Sequence, residues 1–258
     1  MPRLGFGTWS LKGKKVYQAV LWALEAGYRL FDTAEVYGNE KKIGQAFKDS
    51  GIPREDIFIT TKLSSKNQDF KRILLAIDRS LKQLDISYID LYLIHWPVSG
   101  KRKETWKALE KIYDPKKARA IGVSNFRIPH LEDILEDHIY LPNVNQIEYS
   151  PFLNEKKLLK FCRAHNIIVE AYCPLTRAKK LNHLKIKSIG KKYNKSSAQI
   201  LLRWGLQNDV VEIPRSGNKN HIFENVDIFN FSLNDEDMSI LNDLNENYHV
   251  SHDSTNVI

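Results

Sequence analysis

The sequence predicts an α/β protein in which eight strand–helix units close into a (β/α)₈ TIM barrel. Short apolar runs, rich in β-branched and aromatic residues, alternate with amphipathic stretches along the whole chain. Such runs are typical of parallel strands that are covered on both faces. Eight units within 258 residues suit a closed barrel, and we expect residues 1–258 to form a single domain.

Eight candidate strands define the repeat. They cover residues 28–33, 57–62, 89–95, 120–124, 144–147, 167–172, 210–213 and, with a weaker pattern, 226–229. An open doubly wound sheet would carry a G-x-G-x-x-G turn after its first strand. The nearest match, at residues 4–7, lacks both a preceding strand and the third glycine, which favours the barrel.

Amphipathic helices are predicted between the strands. The clearest covers residues 70–84, where apolar side chains form one stripe and Asp69 precedes the first turn as an N-cap. Further helices are expected over residues 102–113, 154–165 (with Asn154 as the N-cap) and 197–208. Gly51 followed by Pro53 indicates the end of another helix.

Composition excludes several classes of protein. Two cysteines, Cys162 and Cys173, make a disulfide framework and a zinc site improbable and indicate a reducing compartment. No apolar run approaches the ~20 residues that cross a bilayer, and the N-terminus has no signal-peptide pattern. We therefore expect a cytoplasmic protein with neither a membrane nor a metal partner.

The formal net charge of +8 raises the alternative of a nucleic-acid binder. The lysines are scattered in short clusters, however, and no basic stripe interleaves with aromatic residues. Solvated helix faces explain the charge more simply, and part of the excess could serve an anionic cofactor.

Polar side chains fall at or just beyond the C-terminal end of one candidate strand after another. Strand ends of a (β/α)₈ barrel converge on one face, where barrel active sites lie. The residues, in chain order, are Asp32, Tyr37, Lys62, His95, Ser124, Asn125, Gln146, Tyr172, Arg215 and Ser216.

Four of these residues form a chemically coherent set. Tyrosine titrates near ~10, and a neighbouring ammonium at Lys62 is expected to lower the pKa of the Tyr37 phenol. Asp32 would hold Lys62 charged, and His95 would donate to a carbonyl oxygen and orient it. The set can protonate an alkoxide but supplies no electrons, so a hydride cofactor is implied.

These residues lie within stretches that resemble the aldo-keto reductases. The matching stretches are LGFGTW at 4–9, GYRLFDTAEVYGNE at 27–40, TTKL at 60–63, DLYLIHWP at 90–97, AIGVSNF at 120–126, NQIEYSP at 145–151, AYCPL at 171–175 and IPRS at 213–216. They follow the order of the family over almost the whole chain. The resemblance implies a catalytic tetrad of Asp32, Tyr37, Lys62 and His95, with Tyr37 as the general acid.

The resemblance also implies an NADPH site, with NADH as a weaker alternative. It places the nicotinamide carboxamide at Ser124, Asn125 and Gln146 and stacks the ring on Tyr172. Arg215 and Ser216 would meet the ribose phosphate, and Trp9 and Trp96 would line the substrate pocket. The full set of implied cofactor contacts is Thr8, Trp9, Ser124, Asn125, Gln146, Tyr172, Cys173, Leu175, Arg215, Ser216, Asn218, His221, Glu224 and Asn225.

Four departures from the family pattern stand out. Met1 occupies the place where an N-terminal hairpin that plugs the barrel bottom would already have ended, so either that hairpin is missing or the chain begins at an internal methionine. The connection between His95 and Ala120 is short, as in prokaryotic members similar to diketogluconate and methylglyoxal reductases. His221 replaces an arginine that usually grips the extra phosphate of NADPH, and Cys173 replaces a common serine.

The sequence therefore favours a monomeric NADPH-dependent reductase of small aldehydes and ketones. A non-catalytic regulatory barrel that binds the cofactor is the main alternative. An intact tetrad and the lack of an added interaction segment argue against it.

Overall fold

Eight parallel strands form the centre of the molecule. The computed structural model describes residues 1–113, 116–136 and 138–254. Within this part of the chain, strands pair in sequential order, each with the next. They are β1 (Gly5–Gly7), β2 (Leu30–Asp32), β3 (Phe58–Leu63), β4 (Leu91–Ile94), β5 (Ile121–Ser124), β6 (Val144–Glu148), β7 (Ile168–Tyr172) and β8 (Val211–Glu212).

The two ends of this sheet meet at a seam between β1 and β8. The backbone N–H of Glu212 donates to the carbonyl oxygen of Arg3 at 3.0 Å, and that of Gly7 donates to Pro214 at the same distance. A parallel bridge between Leu4 and Glu212 completes the contact. The predicted (β/α)₈ architecture is therefore confirmed.

Ten α-helices accompany the strands within the described residues. They are α1 (Gly13–Glu25), α2 (Glu40–Ser50), α3 (Phe70–Leu84), α4 (Arg102–Ile112), α5 (Ile128–Leu135), α6 (Lys156–Ala164), α7 (Leu184–Tyr193), α8 (Ser197–Gln207), α9 (Lys219–Val226) and α10 (Asp235–Asn242). None of these helices is long and apolar enough to cross a bilayer.

The helix ends follow local chemistry. Asp69 caps α3, because its carboxylate accepts the backbone N–H of Arg72 at 3.0 Å. Helix α2 ends at Gly51, whose φ of 69° lies in the left-handed region that glycine adopts without strain. Both features were predicted. The N-cap prediction at Asn154 was wrong, because α6 begins at Lys156 and its N-cap is Glu155.

One strand prediction was also wrong. Residues 226–229 form no strand; Val226 ends α9, and the chain then continues without regular structure. The strand that the sequence analysis did not predict is β1, a three-residue segment that contains two glycines and therefore shows no apolar alternation. Asp32 consequently ends the second strand of the barrel rather than the first. The strand number of each later predicted residue increases by one.

Alternate residues of the strands face opposite sides of the barrel wall. In β4, Tyr92 and Ile94 join the large cluster formed with the helices. Leu91 and Leu93 instead pack with Val144 of β6 in a small separate cluster. This alternation matches the two-residue period of a strand and fills the barrel interior with apolar side chains.

Glu212 is a buried carboxyl outside the region where polar strand ends gather. It is 1% exposed, its Oε2 atom has no hydrogen-bond partner within the described residues, and its Oε1 atom lies against Gly205 of α8. A side-chain carbon at Gly205 would lie 1.5 Å from Oε1, so any larger residue there would force the Glu212 carboxyl to move. Burial raises the pKa of Glu212 well above its usual value.

Replacing Glu212 with methionine is expected to remove a pH-dependent loss of stability. Because the folded state holds the proton more tightly than the unfolded state, the wild-type protein loses up to about 1.4 kcal/mol per pH unit above the unfolded-state pKa. Urea unfolding from pH 4.5 to 8 should show the Glu212→Met variant gaining on the wild type as pH rises. Parallel curves would show that the carboxyl does not titrate on unfolding.

Candidate active site

The predicted polar residues do gather at one end of the barrel. Asp32 is the last residue of β2, Lys62 is next to last in β3, and Ser124 ends β5. His95 follows β4 directly. Because all strands are parallel, these C-terminal ends share one face, where loops supply the remaining groups.

Lys62 and Asp32 form an ion pair inside the barrel mouth. Lys62 is fully buried, and its Nζ donates to Asp32 Oδ1 at 2.7 Å and to the carbonyl oxygen of Thr33 at 2.9 Å. Burial lowers the pKa of Lys62, but the charge of Asp32 and the nearby Tyr37 outweigh it, so the net shift is upward. The lysine therefore stays protonated at neutral pH.

Tyr37 reaches this ion pair from the loop that follows β2. A short 3₁₀ turn, Glu35–Tyr37, ends at Gly38, whose φ is 64°. Lys62 Nζ lies 3.4 Å from the Tyr37 hydroxyl oxygen. The expected lowering of the phenol pKa is not the net result: burial raises the pKa of Tyr37, and the charge of Lys62 acts only partly against it.

His95 completes the cluster. Its ring meets the ring of Tyr37 edge to face, with centroids 5.7 Å apart. Burial and then the charge of Lys62 lower the pKa of His95 to about 3. The imidazole is therefore neutral at physiological pH and offers one N–H donor rather than two.

Buried residues that the sequence analysis did not single out hold this face together. Asn39 Nδ2 donates to the carbonyl oxygens of Thr8 and Leu11, both at 3.0 Å. Its Oδ1 accepts the hydroxyl of Thr33 at 2.7 Å. Asn39 thereby joins the loops after β1 and β2. Its place two residues after Tyr37, within the matching stretch 27–40, is a sequence signal that could have identified it.

Ser124, Asn125 and Tyr172 form a connected polar wall beside the tetrad. Asn125 has a φ of 65°, and its Nδ2 donates to the carbonyl oxygen of His95 at 2.9 Å and to Ser124 Oγ at 3.0 Å. The Tyr172 hydroxyl donates to Asn125 Oδ1 at 2.7 Å. Side chains at the ends of β5 and β7 are therefore linked to each other, and Asn125 also ties them to the backbone of His95 after β4.

Gln146 lies deeper than this wall. It is 2% exposed, and its Nε2 donates to Asp32 Oδ2 at 2.8 Å and to Glu170 Oε2 at 2.5 Å. The amide thus links the tetrad to Glu170 of β7, which the sequence analysis overlooked because it stands within an apolar strand. Burial raises the pKa of Glu170 to about 8, and the neighbouring charge of Asp32 adds to the effect.

The second predicted group follows β7 and β8. Arg215 and His221 are exposed, and Ser216 is buried, with its Oγ accepting the N–H of Asn218. Asn218 caps α9 by accepting the N–H groups of Asn220 and His221. The remaining members are the half-buried Leu175 and Glu224, the buried Asn225, and Cys173, whose thiol pKa is raised by burial.

Trp9 and Trp96 stand at the mouth as predicted, each against a partner that the sequence did not indicate. Trp9 follows β1, is 44% exposed, and has the guanidinium of Arg177 at 4.6 Å from its ring centroid. Trp96 follows His95, and its ring lies 5.8 Å from that of His252.

The C-terminal segment 249–254 covers part of the same face. Glu148, at the end of β6, accepts the backbone N–H of Val250 at 2.7 Å and that of Ser251 at 3.1 Å. Arg127 pairs with Asp253 at 2.9 Å. A small cavity lies between this segment and the wall residues Asn125 and Tyr172.

The fold and this cluster together define a barrel oxidoreductase, and comparison with known proteins identifies its family. The Aldo/keto reductase family model matches residues 3–246. Glyoxal reductase of Bacillus subtilis is 44% identical over 97% of this chain and 91% of its own length. The 9,11-endoperoxide prostaglandin H2 reductase of Trypanosoma cruzi is 44% identical, covering 99% of this chain and 92% of the relative.

Solved structures agree with this assignment. MGS-M4, an aldo-keto reductase from a Medee basin deep-sea metagenome library, superposes with a TM-score of 0.97 at 42% identity, covering 100% of this chain and 96% of its own. An aldo-keto reductase complexed with NADPH superposes with a TM-score of 0.92 at 32% identity, covering 98% and 86%. The chain belongs to the aldo/keto reductase family and is a NAD(P)H-dependent oxidoreductase.

Replacing Lys62 with methionine is expected to destabilise the fold by about 3 to 5 kcal/mol, because the buried carboxyl of Asp32 would lose its counter-ion. Adding Asp32→Asn should recover part of that loss. Urea unfolding of both variants tests this, with Lys48→Met as the control, since its pair with Asp85 is exposed. No recovery in the double variant would contradict the coupling of the two charges.

Proposed function

We propose that this protein reduces small aldehydes and ketones to alcohols with NADPH, and that Tyr37 is the general acid. The observation that carries the proposal is the contact between the Tyr37 hydroxyl and the Lys62 ammonium, 3.4 Å apart beside the neutral His95. A phenol next to a permanent positive charge is a proton donor whose conjugate base is stabilised where it forms.

The roles of the four residues follow from their contacts. Tyr37 donates its proton to the carbonyl oxygen as negative charge develops there. Lys62 stabilises the resulting phenolate, and Asp32 keeps Lys62 charged and in place. His95 donates its single N–H to the same oxygen and orients the substrate. NADPH, when bound, supplies the hydride.

The residues present fit a nicotinamide cofactor. The amide N–H groups of Asn125 and Gln146 are used within the barrel, and the oxygens Asn125 Oδ1 and Gln146 Oε1 retain the acceptor capacity that a carboxamide amino group requires, beside Ser124. The Oδ1 atom of the buried Asn225 has no partner within the described residues and is available to an adenine amine. Arg215 is exposed and forms no ion pair in the described part of the chain, as a phosphate-binding cation should be.

Substrate class is proposed from the mouth of the barrel and from the relatives. Trp9 and Trp96 offer aromatic walls, and the described part of the connection between His95 and β5 contains a single helix, α4. The similarity to glyoxal reductase supports small dicarbonyl compounds, such as ketoaldehydes, as substrates. Keto-sugars and simple aldehydes belong to the same proposed class.

Tyr37→Phe tests the acid role. We expect kcat for methylglyoxal to fall at least about 10²-fold, because the proton donor is lost. The NADPH dissociation constant should change within about threefold. Absorbance assays of NADPH loss measure kcat, and calorimetric titration measures the dissociation constant.

Tyr17→Phe is the matched control for this test, since its hydroxyl bonds Asp49 on the helical side of the barrel. Unchanged turnover in Tyr37→Phe would refute the acid role. NADPH binding by a wild-type protein that turns over no carbonyl of the proposed class would support a regulatory barrel instead.

Arg215→Met tests the phosphate site. Loss of a charge-assisted hydrogen bond is expected to weaken NADPH binding by about tenfold or more, while NADH binding changes within about twofold. Lys219→Met serves as the control, because its ammonium already pairs with Glu25 at 3.1 Å. Equal losses for both cofactors would contradict recognition of the extra phosphate by Arg215.

A further inference from the structure

Glu170 has no role in the chemistry described above, yet it lies at the end of the polar chain that leads from the tetrad. It is fully buried in the middle of β7, and its Oε1 atom has no partner within the described residues. Its Oε2 atom accepts one hydrogen from Gln146 Nε2. Burying a carboxyl that has only one hydrogen bond costs free energy, so the presence of Glu170 at this position calls for an explanation.

The two bonds of Gln146 fix which end of its amide faces the barrel interior. Asp32 is ionised and can only accept, and its Oδ2 atom takes one N–H of Gln146 at 2.8 Å. Glu170 takes the other N–H. Both donors are therefore used inside the barrel, and Gln146 Oε1 forms no hydrogen bond within the described residues.

We propose that Glu170 is a positioning residue that locks the amide of Gln146, so that Gln146 Oε1 is held as an acceptor for the amino group of the cofactor carboxamide. The inference rests on the proposed function, in which Gln146 contacts the nicotinamide. Without Glu170, the second N–H of Gln146 has no partner, and the amide is free to rotate away from Asp32.

Holding the amide of Gln146 in place does not require Glu170 to be charged. Asp32 and Lys62 already balance each other, so a second buried negative charge is disfavoured, in agreement with the raised pKa of Glu170. A protonated carboxyl still presents a carbonyl oxygen that accepts from Gln146. Glutamine at position 170 would offer the same acceptor in the same shape, whereas methionine would fill the space without one.

The test is a double-mutant cycle on cofactor binding. NADP+ is titrated calorimetrically into the wild type, Glu170→Met, Glu170→Gln, Gln146→Met and the double variant Glu170→Met/Gln146→Met. We expect Glu170→Met to weaken binding about tenfold and Glu170→Gln to stay within about twofold of the wild type. In the Gln146→Met background, Glu170→Met should add almost nothing, because both act through one amide.

Two further variants protect the test from a simple folding defect. Glu212→Met makes the same substitution at a buried carboxyl of the neighbouring strand whose Oε1 atom lies against Gly205, and it should leave binding unchanged. Glu170→Asp keeps the carboxyl but withdraws it by one methylene, and it should weaken binding as Glu170→Met does.

The outcomes separate this inference from the proposed function. If Gln146→Met binds NADP+ as the wild type does, Gln146 is not a cofactor contact, and the proposed site and this inference both fail. If Gln146→Met binds weakly but Glu170→Met does not, only the positioning role is overturned. Additive losses in the cycle, or no rescue by Glu170→Gln, also overturn it.

Discussion

The ion pair of Lys62 and Asp32 is the constraint on which the active face depends. A charged lysine with no exposed surface survives only because one carboxylate and one backbone carbonyl receive its hydrogens. The pair must also sit above an apolar interior, here formed by residues such as Leu91 and Leu93. Asp32 and the carbonyl oxygen of Thr33 thus satisfy the ammonium, and the Tyr37 hydroxyl oxygen lies 3.4 Å from it.

Much of the barrel and of the tetrad could be predicted from the sequence, for physical reasons. Strands covered on both faces give continuous apolar runs, and a lysine such as Lys62 at the end of one is conspicuous. Strand β1 gives no such signal, because two of its three residues are glycine. Asn39 and Glu170 act through contacts between neighbouring strands and loops whose residues are far apart along the chain, and a linear pattern does not contain such contacts. The pKa of Tyr37 depends on burial, and burial is known only after folding.

Burial shifts the pKa of the Tyr37 phenol upward and the pKa of the His95 imidazole downward. It keeps the Tyr37 phenol protonated and His95 unprotonated across the physiological range. Tyr37 therefore keeps its proton and His95 keeps a single N–H donor, and neither side chain changes charge near neutral pH. Lys62 adds to the effect on His95, whose protonation it opposes, and acts against the effect on Tyr37, whose proton loss it favours.

The seam between β1 and β8 joins the beginning of the chain to a strand about two hundred residues later. Among the proposed cofactor residues, Trp9 extends from one side of this seam and Arg215 from the other. A bound dinucleotide that contacts both sides of this seam would stabilise the closed barrel. It would add about 2.7 kcal/mol to the free energy of unfolding at a concentration one hundred times its dissociation constant. The resistance of the protein to proteolysis would therefore rise with the concentration of its cofactor.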